Sequence, residues 1–240
     1  MYLQTPGFIL KHRDWREVDR IYTAYTQKSG KLDIGARGVR KIGSKLRGHL
    51  QPFALVDLHL VRGKYRYQLI GAELRHNYQL PLTSPSGSKP LVLNERAITN
   101  SKKIGYGFYF LELVDKITRE EQRNDEVFDL IKQGLEILQR DSLFAKATVD
   151  KQGDNGDNLK LLRLAFLLKL LKIKGFNPAK RVVREPKTQA ALEYYLDESF
   201  ENILQKSSKG ITKTLFNISQ YTLNEVIERP LKTVKFLQSL

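Results

Sequence analysis

Between Gly35 and His49 the chain places Arg37, Arg40, Lys41, Lys45 and Arg47 among Gly35, Gly38, Gly43 and Gly48, with no acidic residue in the segment. Five cations on a glycine-rich backbone are the ingredients of a phosphate-binding loop. Glycine permits tight turns, arginine forks onto two phosphate oxygens, and lysine meets them as a point charge. The surrounding sequence is basic as well: residues 1–80 hold 15 Lys and Arg against six Asp and Glu, the larger part of a net charge of +15 over 240 residues. A polyanion is the partner such a surplus fits. Arg13 and Lys31 lie in the same basic third. Tyr22, Tyr25, Phe53, Tyr65 and Tyr67 are interleaved with these charges, and a ring facing solvent could stack on an unpaired base. Strand alternation requires that some of them face inward instead. A solvated loop without a ligand has the same composition, so charge alone does not choose.

No catalytic constellation accompanies this charge. His12, His49, His59 and His76 lack the spacing of a zinc site, and no Gly-Lys-Ser/Thr loop is present to hold ATP. Asp14, Glu17 and Asp19 stand among Arg13, Arg16 and Arg20, a pattern that favours ion pairing over paired-carboxylate catalysis. The chain has no cysteine, which excludes disulfides, thiolate metal sites, iron–sulfur clusters and cysteine nucleophiles. Asp150 to Asn158 is rich in oxygen donors, yet Asn155 stands where a calcium loop needs glycine and Leu161 where it needs glutamate. The expectation is a binding protein without catalytic residues, metal or cofactor. The first residues do not read as a secretory signal, and charges interrupt the leucine-rich stretch Leu159 to Ile173. A cytoplasmic, nucleoid-associated protein with no membrane span is expected.

The elements that must carry these residues follow from periodicity. Five strands are predicted, over Phe8–Lys11, Arg20–Thr26, Lys31–Val39, Phe53–Val61 and Tyr65–Ala72, with hairpin turns at Ser29-Gly30-Lys31 and Arg62-Gly63-Lys64. Alternation over Ile21–Thr26 and Leu32–Arg37 predicts one buried face on each of those two strands. So many short strands in about 70 residues point to a small barrel, the OB-fold being the leading five-stranded candidate. Pro81, Pro85, Gly87 and Pro90 break the pattern from Leu80 to Leu91, giving expected domains at 1–80 and 81–240. Helical periodicity follows. Val127, Phe128, Ile131, Leu135 and Leu138 share a face, behind a capping-box spacing at Thr118-Arg119-Glu120-Glu121. Leu192, Tyr195, Leu196, Phe200, Ile203 and Leu204 form a second apolar stripe, expected to be core. The fold class is therefore α+β, a barrel followed by an all-helical domain.

The run from Gly7-Phe8-Ile9-Leu10-Lys11-His12-Arg13-Asp14-Trp15-Arg16-Glu17 to Val18-Asp19-Arg20-Ile21 resembles the N-terminal signature of the RecO family of recombination mediators. The resemblance continues through Ala36-Arg37-Gly38-Val39-Arg40-Lys41, Ser44-Lys45-Leu46-Arg47-Gly48 and Leu50-Gln51-Pro52-Phe53, and more thinly through Gly175-Phe176-Asn177-Pro178 and Arg229-Pro230-Leu231-Lys232-Thr233. It implies an OB-fold followed by a helical domain that acts in DNA repair and homologous recombination. Such a protein binds single- and double-stranded DNA, anneals complementary strands and, with RecR, helps load RecA onto strands covered by single-stranded-DNA-binding protein. It also implies capture of that protein's acidic, apolar C-terminal tail by the helical domain. Arg163 is the candidate for the tail carboxylate, beside a cleft at Leu164, Phe166 or Leu167. Many members carry a four-cysteine zinc module after the position of Pro178; here Ala179 to Pro186 supplies no ligand, and a short loop from Arg181 to Lys187 is expected. An OB-fold RNA-binding protein of translation or RNA processing is the alternative, since a basic groove with aromatics does not choose its sugar. A scaffold whose helical domain matters more than nucleic acid is a third reading.

Overall fold

All five expected strands form: β1 (Tyr2–Trp15), β2 (Asp19–Thr26), β3 (Gly30–Ala36), β4 (Ala54–Arg62) and β5 (Tyr67–Asn77). In this computed structural model, which describes residues 1–78, 95–140, 143, 155–180, 185–206 and 209–238, they close into a barrel in the order β1-β2-β3-β5-β4. Neighbours are antiparallel except β3 with β5, where Ile34 and Gly35 face Tyr67 and Gln68 in parallel. This is the OB-fold arrangement anticipated from strand number and length.

The first strand is far longer than its apolar signal. It serves two partners, pairing Tyr2–Phe8 with β4 and Gly7–Trp15 with β2, with an irregularity between Ile9 and Lys11. Pro6 and Gly7 disguise that continuity in sequence. The third strand, expected to reach Val39, ends at Ala36 because the chain turns through Gly38 at φ +66°.

Inside the barrel, Ile9, Tyr22, Ala24, Leu32, Ile34, Val56, Leu58 and Leu60 form one apolar cluster. The one-face expectation holds along β3 as far as Ile34, beyond which Gly35 is buried as well, and it fails for β2, whose Ile21–Thr26 are all buried. Part of the cover comes from residues beyond the barrel sequence. Packing defines one unit of Met1–Gln79 with Val114–Asp129 and a second of Leu80–Leu113 with Leu130–Leu240. In the first unit, Phe128 lies 5.0 Å from Phe8 between ring centroids, and Tyr25 Oη donates to Asn124 O at 3.2 Å. Glu121 N donates to Lys31 O at 2.9 Å. Gly30, at φ +69°, lets this segment approach: a Cβ there would lie 2.0 Å from Gln122 O. The hairpin glycine read from sequence therefore serves both the turn and the docking of residues 120–123.

Helices follow the barrel: α1 (Leu46–His49) within the β3–β4 connection, then α2 (Glu95–Ile117), α3 (Asp125–Gln139), α4 (Asn155–Ile173), α5 (Pro186–Asp197), α6 (Phe200–Lys206), α7 (Lys209–Val226) and α8 (Lys232–Gln238). In the second unit α4 is apolar nearly all round, from Leu159 to Leu171, and is buried accordingly. Phe166 stacks on Phe110 at 4.0 Å, with Gly134 tight against the pair. Glu112 accepts from the backbone N–H groups of Lys232 and Thr233 at 2.8 and 2.9 Å, capping α8 and giving the Arg229–Thr233 motif a structural part.

Several boundaries differ from expectation. The cap of α3 is Asn124, whose Oδ1 accepts from Val127 N at 3.0 Å, while Thr118 ends α2 and donates to Val114 O. The second apolar stripe is two helices, broken where Glu198 is extended and Ser199 Oγ accepts from Asn202 N. All six stripe residues are buried as expected. Asn155–Asn158 begin α4 rather than ending a loop, and Pro186 and Lys187 begin α5. The Leu80–Leu91 linker, Asp150–Asp154 and Arg181–Arg184 lie outside the described residues.

Burial pushes the Tyr25 hydroxyl pKa up to about 12, from an ordinary value of 10.0. Its protonated form is thus favoured in the fold, and the stability this contributes is complete below pH 10 and lost as pH rises toward 12. The urea midpoint of the wild-type protein is expected to fall more steeply across that window than the midpoint of Tyr25→Phe. Parallel pH profiles for the two proteins would place the strain of ionisation elsewhere.

Candidate nucleic-acid interface

The β3–β4 connection is built as a row of apolar pegs with cations between them. Val39 and Leu50 are buried in the barrel cluster, and Leu46 packs against it. Arg37, Arg40, Lys41, Lys45 and Arg47 consequently point outward and are exposed. Between them Ile42 is fully exposed as well.

This connection is tied to the β1–β2 hairpin. Arg40 N donates to Val18 O at 3.0 Å, and Gly38 N donates to Asp19 Oδ1 at 2.8 Å. Asp14 accepts from Arg20 Nε at 2.8 Å and lies 3.6 Å from Arg40 Nη2. The hydrogen bond from Arg20 holds the Asp14 carboxyl below the usual carboxylate range. The acids of this hairpin thus act as braces for the loop, as the ion-pairing reading anticipated.

The β4–β5 turn joins the same region. Trp15, at the end of β1, is 42% exposed, with the guanidinium of Arg13 at 5.5 Å and that of Arg66 at 5.3 Å from its ring centroid. Tyr65 is 83% exposed and carries Lys64 Nζ at 5.2 Å. In OB-folds the β1–β2 and β4–β5 loops flank the oligonucleotide-binding face. Here they bring together Arg13, Trp15, Lys64, Tyr65 and Arg66, and the backbone tether adds Arg37, Arg40 and Lys41.

Sequence reasoning named Arg13 and the five loop cations and missed Trp15, Lys64 and Arg66. Trp15 was hidden among the charges of its own hairpin, and Lys64 and Arg66 in a turn read only as a turn. Of the five candidate aromatics, Tyr22, Tyr25, Phe53 and Tyr67 are buried; Tyr65 alone among them is exposed, because β5 starts at Tyr67 and leaves it in the loop.

Lys31 stands apart. Its ammonium donates to Asp115 O at 2.6 Å and lies 3.8 Å from Asp115 Oδ1, with 12% of the side chain exposed. Burial lowers its pKa and Asp115 pulls it back up. Lys11 also donates to Asp115, at 2.6 Å. Both lysines are spent on holding the 114–129 segment.

On the helical unit, the Arg163 guanidinium sits 4.6 Å from the Tyr109 ring and 5.1 Å from that of Phe216. The Tyr109 hydroxyl interacts with the side chains of both Arg163 and Gln220, whereas the buried Arg163 Nε and Gln220 Nε2 make no hydrogen bond among the described residues. Burial raises the Tyr109 hydroxyl, with Arg163 opposing. Leu164, Phe166 and Leu167, expected to line a cleft beside Arg163, are instead closed into the core.

Comparison with known proteins decides the family. The family model described as "Recombination protein O N terminal" matches residues 1–78, and that described as "Recombination protein O C terminal" matches residues 99–182. The chain belongs to the RecO family. Among its relatives, the "DNA repair protein RecO" of Alkaliphilus metalliredigens is 29% identical over 178 residues, which cover 74% of this chain and 60% of that protein. The protein of the same name from Clostridium perfringens is 26% identical over 72% of this chain and 58% of its own length. That from Syntrophus aciditrophicus is 31% identical over 73% and 57%. The chain thus spans somewhat under two thirds of the length of these relatives. The RecO zinc module does not fit this chain, which has no cysteine to supply a thiolate. Among the described residues, no group of three His, Asp or Glu could hold a metal, and no helix is long and apolar enough to cross a membrane.

The division between Lys31 and the loop cations is open to measurement by urea denaturation. Asp115→Ala removes the partner of two lysines and is expected to cost about 3 kcal/mol, as breaking a buried pair does. Replacing Arg37, Arg40 and Lys41 together by Ala removes exposed groups and one surface ion pair, that of Arg40 with Asp14, and is expected to change stability by under about 1 kcal/mol.

Proposed function

We propose that this chain is a recombination mediator that works by binding DNA rather than by catalysis. The observation that carries the reading is the gathering of the β3–β4 connection and the two hairpin loops into one exposed surface of cations and aromatic rings on an OB-fold. Membership of a family whose relatives are named DNA repair proteins supports the choice of DNA.

Single-stranded DNA lies along this surface with its phosphates on Arg37, Arg40, Lys41, Lys45 and Arg47 and toward Arg13. Double-stranded DNA uses the phosphate contacts alone. Neutralising two phosphate backbones lowers their mutual repulsion, so complementary strands anneal on the surface without a nucleotide cofactor. With RecR as partner, the protein then assists loading of RecA onto strands covered by single-stranded-DNA-binding protein. On this reading residues 1–80 form the DNA-binding domain and 81–240 the domain that engages partners.

For the tail of the single-stranded-DNA-binding protein, the site on the helical domain is Arg163. Arg163 and Gln220, gathered at the Tyr109 hydroxyl, keep buried N–H donors, Arg163 Nε and Gln220 Nε2, that make no hydrogen bond among the described residues and suit a terminal carboxylate. The apolar contacts beside it come from the rings of Tyr109 and Phe216, with Leu164, Phe166 and Leu167 closed into the core. Binding of a tail peptide is expected to fall on Arg163→Glu and on removal of the peptide's last apolar residue. Equal binding of a scrambled acidic peptide would reduce the contact to general attraction.

The DNA reading is tested by anisotropy of a labelled single strand over a range of salt. Five neutralised phosphates give a slope of log affinity against log salt near −3.5, at about −0.7 per contact. Substituting Ala for Arg37, Arg40 and Lys41 is expected to flatten it by about 2. An unchanged slope in the folded variant would move the site elsewhere, and an RNA of the same sequence that competes better than the DNA would favour the RNA-binding alternative.

A further inference from the structure

Trp15 is the only tryptophan of the chain, and the fold leaves it at the surface at the end of the longest strand, where it faces Asp19 across the hairpin. Its indole meets two guanidinium groups at cation–π distance, from Arg13 and Arg66, while the more exposed ring of Tyr65 meets Lys64. Neither cation-bearing loop gives Trp15 an acid partner in these contacts. Two cations hold the ring.

We propose that Trp15, with Tyr65, is a stacking platform for unpaired nucleobases, and that Arg13 and Arg66 exchange the indole for backbone phosphates when a base lands on it. This rests on the DNA-binding reading above and adds to it the part of the ligand that the platform recognises. A guanidinium and a base both bind an aromatic face, so the arginines keep the ring solvated and oriented while the site is empty. A displaced guanidinium has a phosphate within the same nucleotide to receive it, so charge compensation is kept through the exchange. Bases in a duplex have both faces covered by their neighbours. The platform therefore selects single strands, while the cations of the β3–β4 connection accept either form. It also accounts for the exposure of a large apolar ring beside two guanidinium groups, which neither packing nor phosphate binding requires.

A single tryptophan makes the test direct. Full-length protein is titrated with an oligothymidylate, with an abasic strand of the same length and with a duplex, following anisotropy of the labelled strand and the intrinsic fluorescence of Trp15. The expected result is binding of all three, with quenching of Trp15 by oligothymidylate only. Trp15→Leu is expected to weaken oligothymidylate binding roughly 5- to 100-fold and abasic binding by less than about 2-fold, with Trp15→Phe near wild type. Tyr65→Ser, at a position 83% exposed, gives a second variant with the same expected direction should Trp15→Leu not fold. Oligothymidylate bound with unaltered fluorescence, or equal losses for base-bearing and abasic strands, would overturn the platform and leave phosphate binding standing. Failure of oligothymidylate to bind at all would overturn the DNA reading and the platform with it.

Discussion

A closed barrel of five strands encloses room for little more than one column of apolar side chains, and everything functional in this chain depends on how that column is filled. Ile9, Tyr22, Leu32, Ile34, Val56, Leu58 and Leu60 occupy it from the strands, and Val39 and Leu50 close it from the β3–β4 connection. Because those two pegs are committed to the interior, the cations between them have no direction left but outward. A long basic segment that would otherwise pay a large ordering entropy is thus anchored before any ligand arrives. Hydrogen bonds from Arg40 N and Gly38 N to the β1–β2 hairpin fix it laterally.

The same barrel explains the split roles of its lysines and arginines. Lys11 and Lys31 face Asp115 and hold the Val114–Asp129 segment to the first unit. Asp14 is spent on Arg20 and Arg40. Acids are placed where the structure needs a brace, and the loop cations other than Arg40 keep their charge for solvent. A net charge of +15 is therefore less informative than its distribution. The distribution is set by which basic residues have an acid within reach.

Much of the fold was legible in the sequence, because strand alternation, helical periodicity and glycine turns are local signals. The barrel, its five strands and the buried stripe from Leu192 to Leu204 follow from them. What local signals could not show was the long-range cover of β2: Ile21–Thr26 alternate as a half-buried strand would, yet all are buried, and part of the cover, at Tyr25, comes from the return of residues 114–129. The interface was legible in its phosphate half, where five cations without an acid stand in sequence. Its aromatic half was not. Trp15 and Arg66 are 51 positions apart, and their meeting depends on the closing of the barrel, which periodicity does not encode. Tyr22 and Tyr25 illustrate the converse, since rings on a strand next to basic residues proved to be core.

The central claim is that nucleic acid lies on the surface shared by the β1–β2 hairpin, the β3–β4 connection and the β4–β5 turn. Photo-crosslinking tests it most directly: a single strand carrying 5-iodouracil at successive positions is bound to the full-length protein and irradiated, and the adducts are mapped by mass spectrometry. The account predicts adducts on Trp15 and Tyr65 and on peptides containing Arg37 to Arg47. Adducts confined to the helical unit, or to the barrel face that carries Tyr2 and His59, would contradict it.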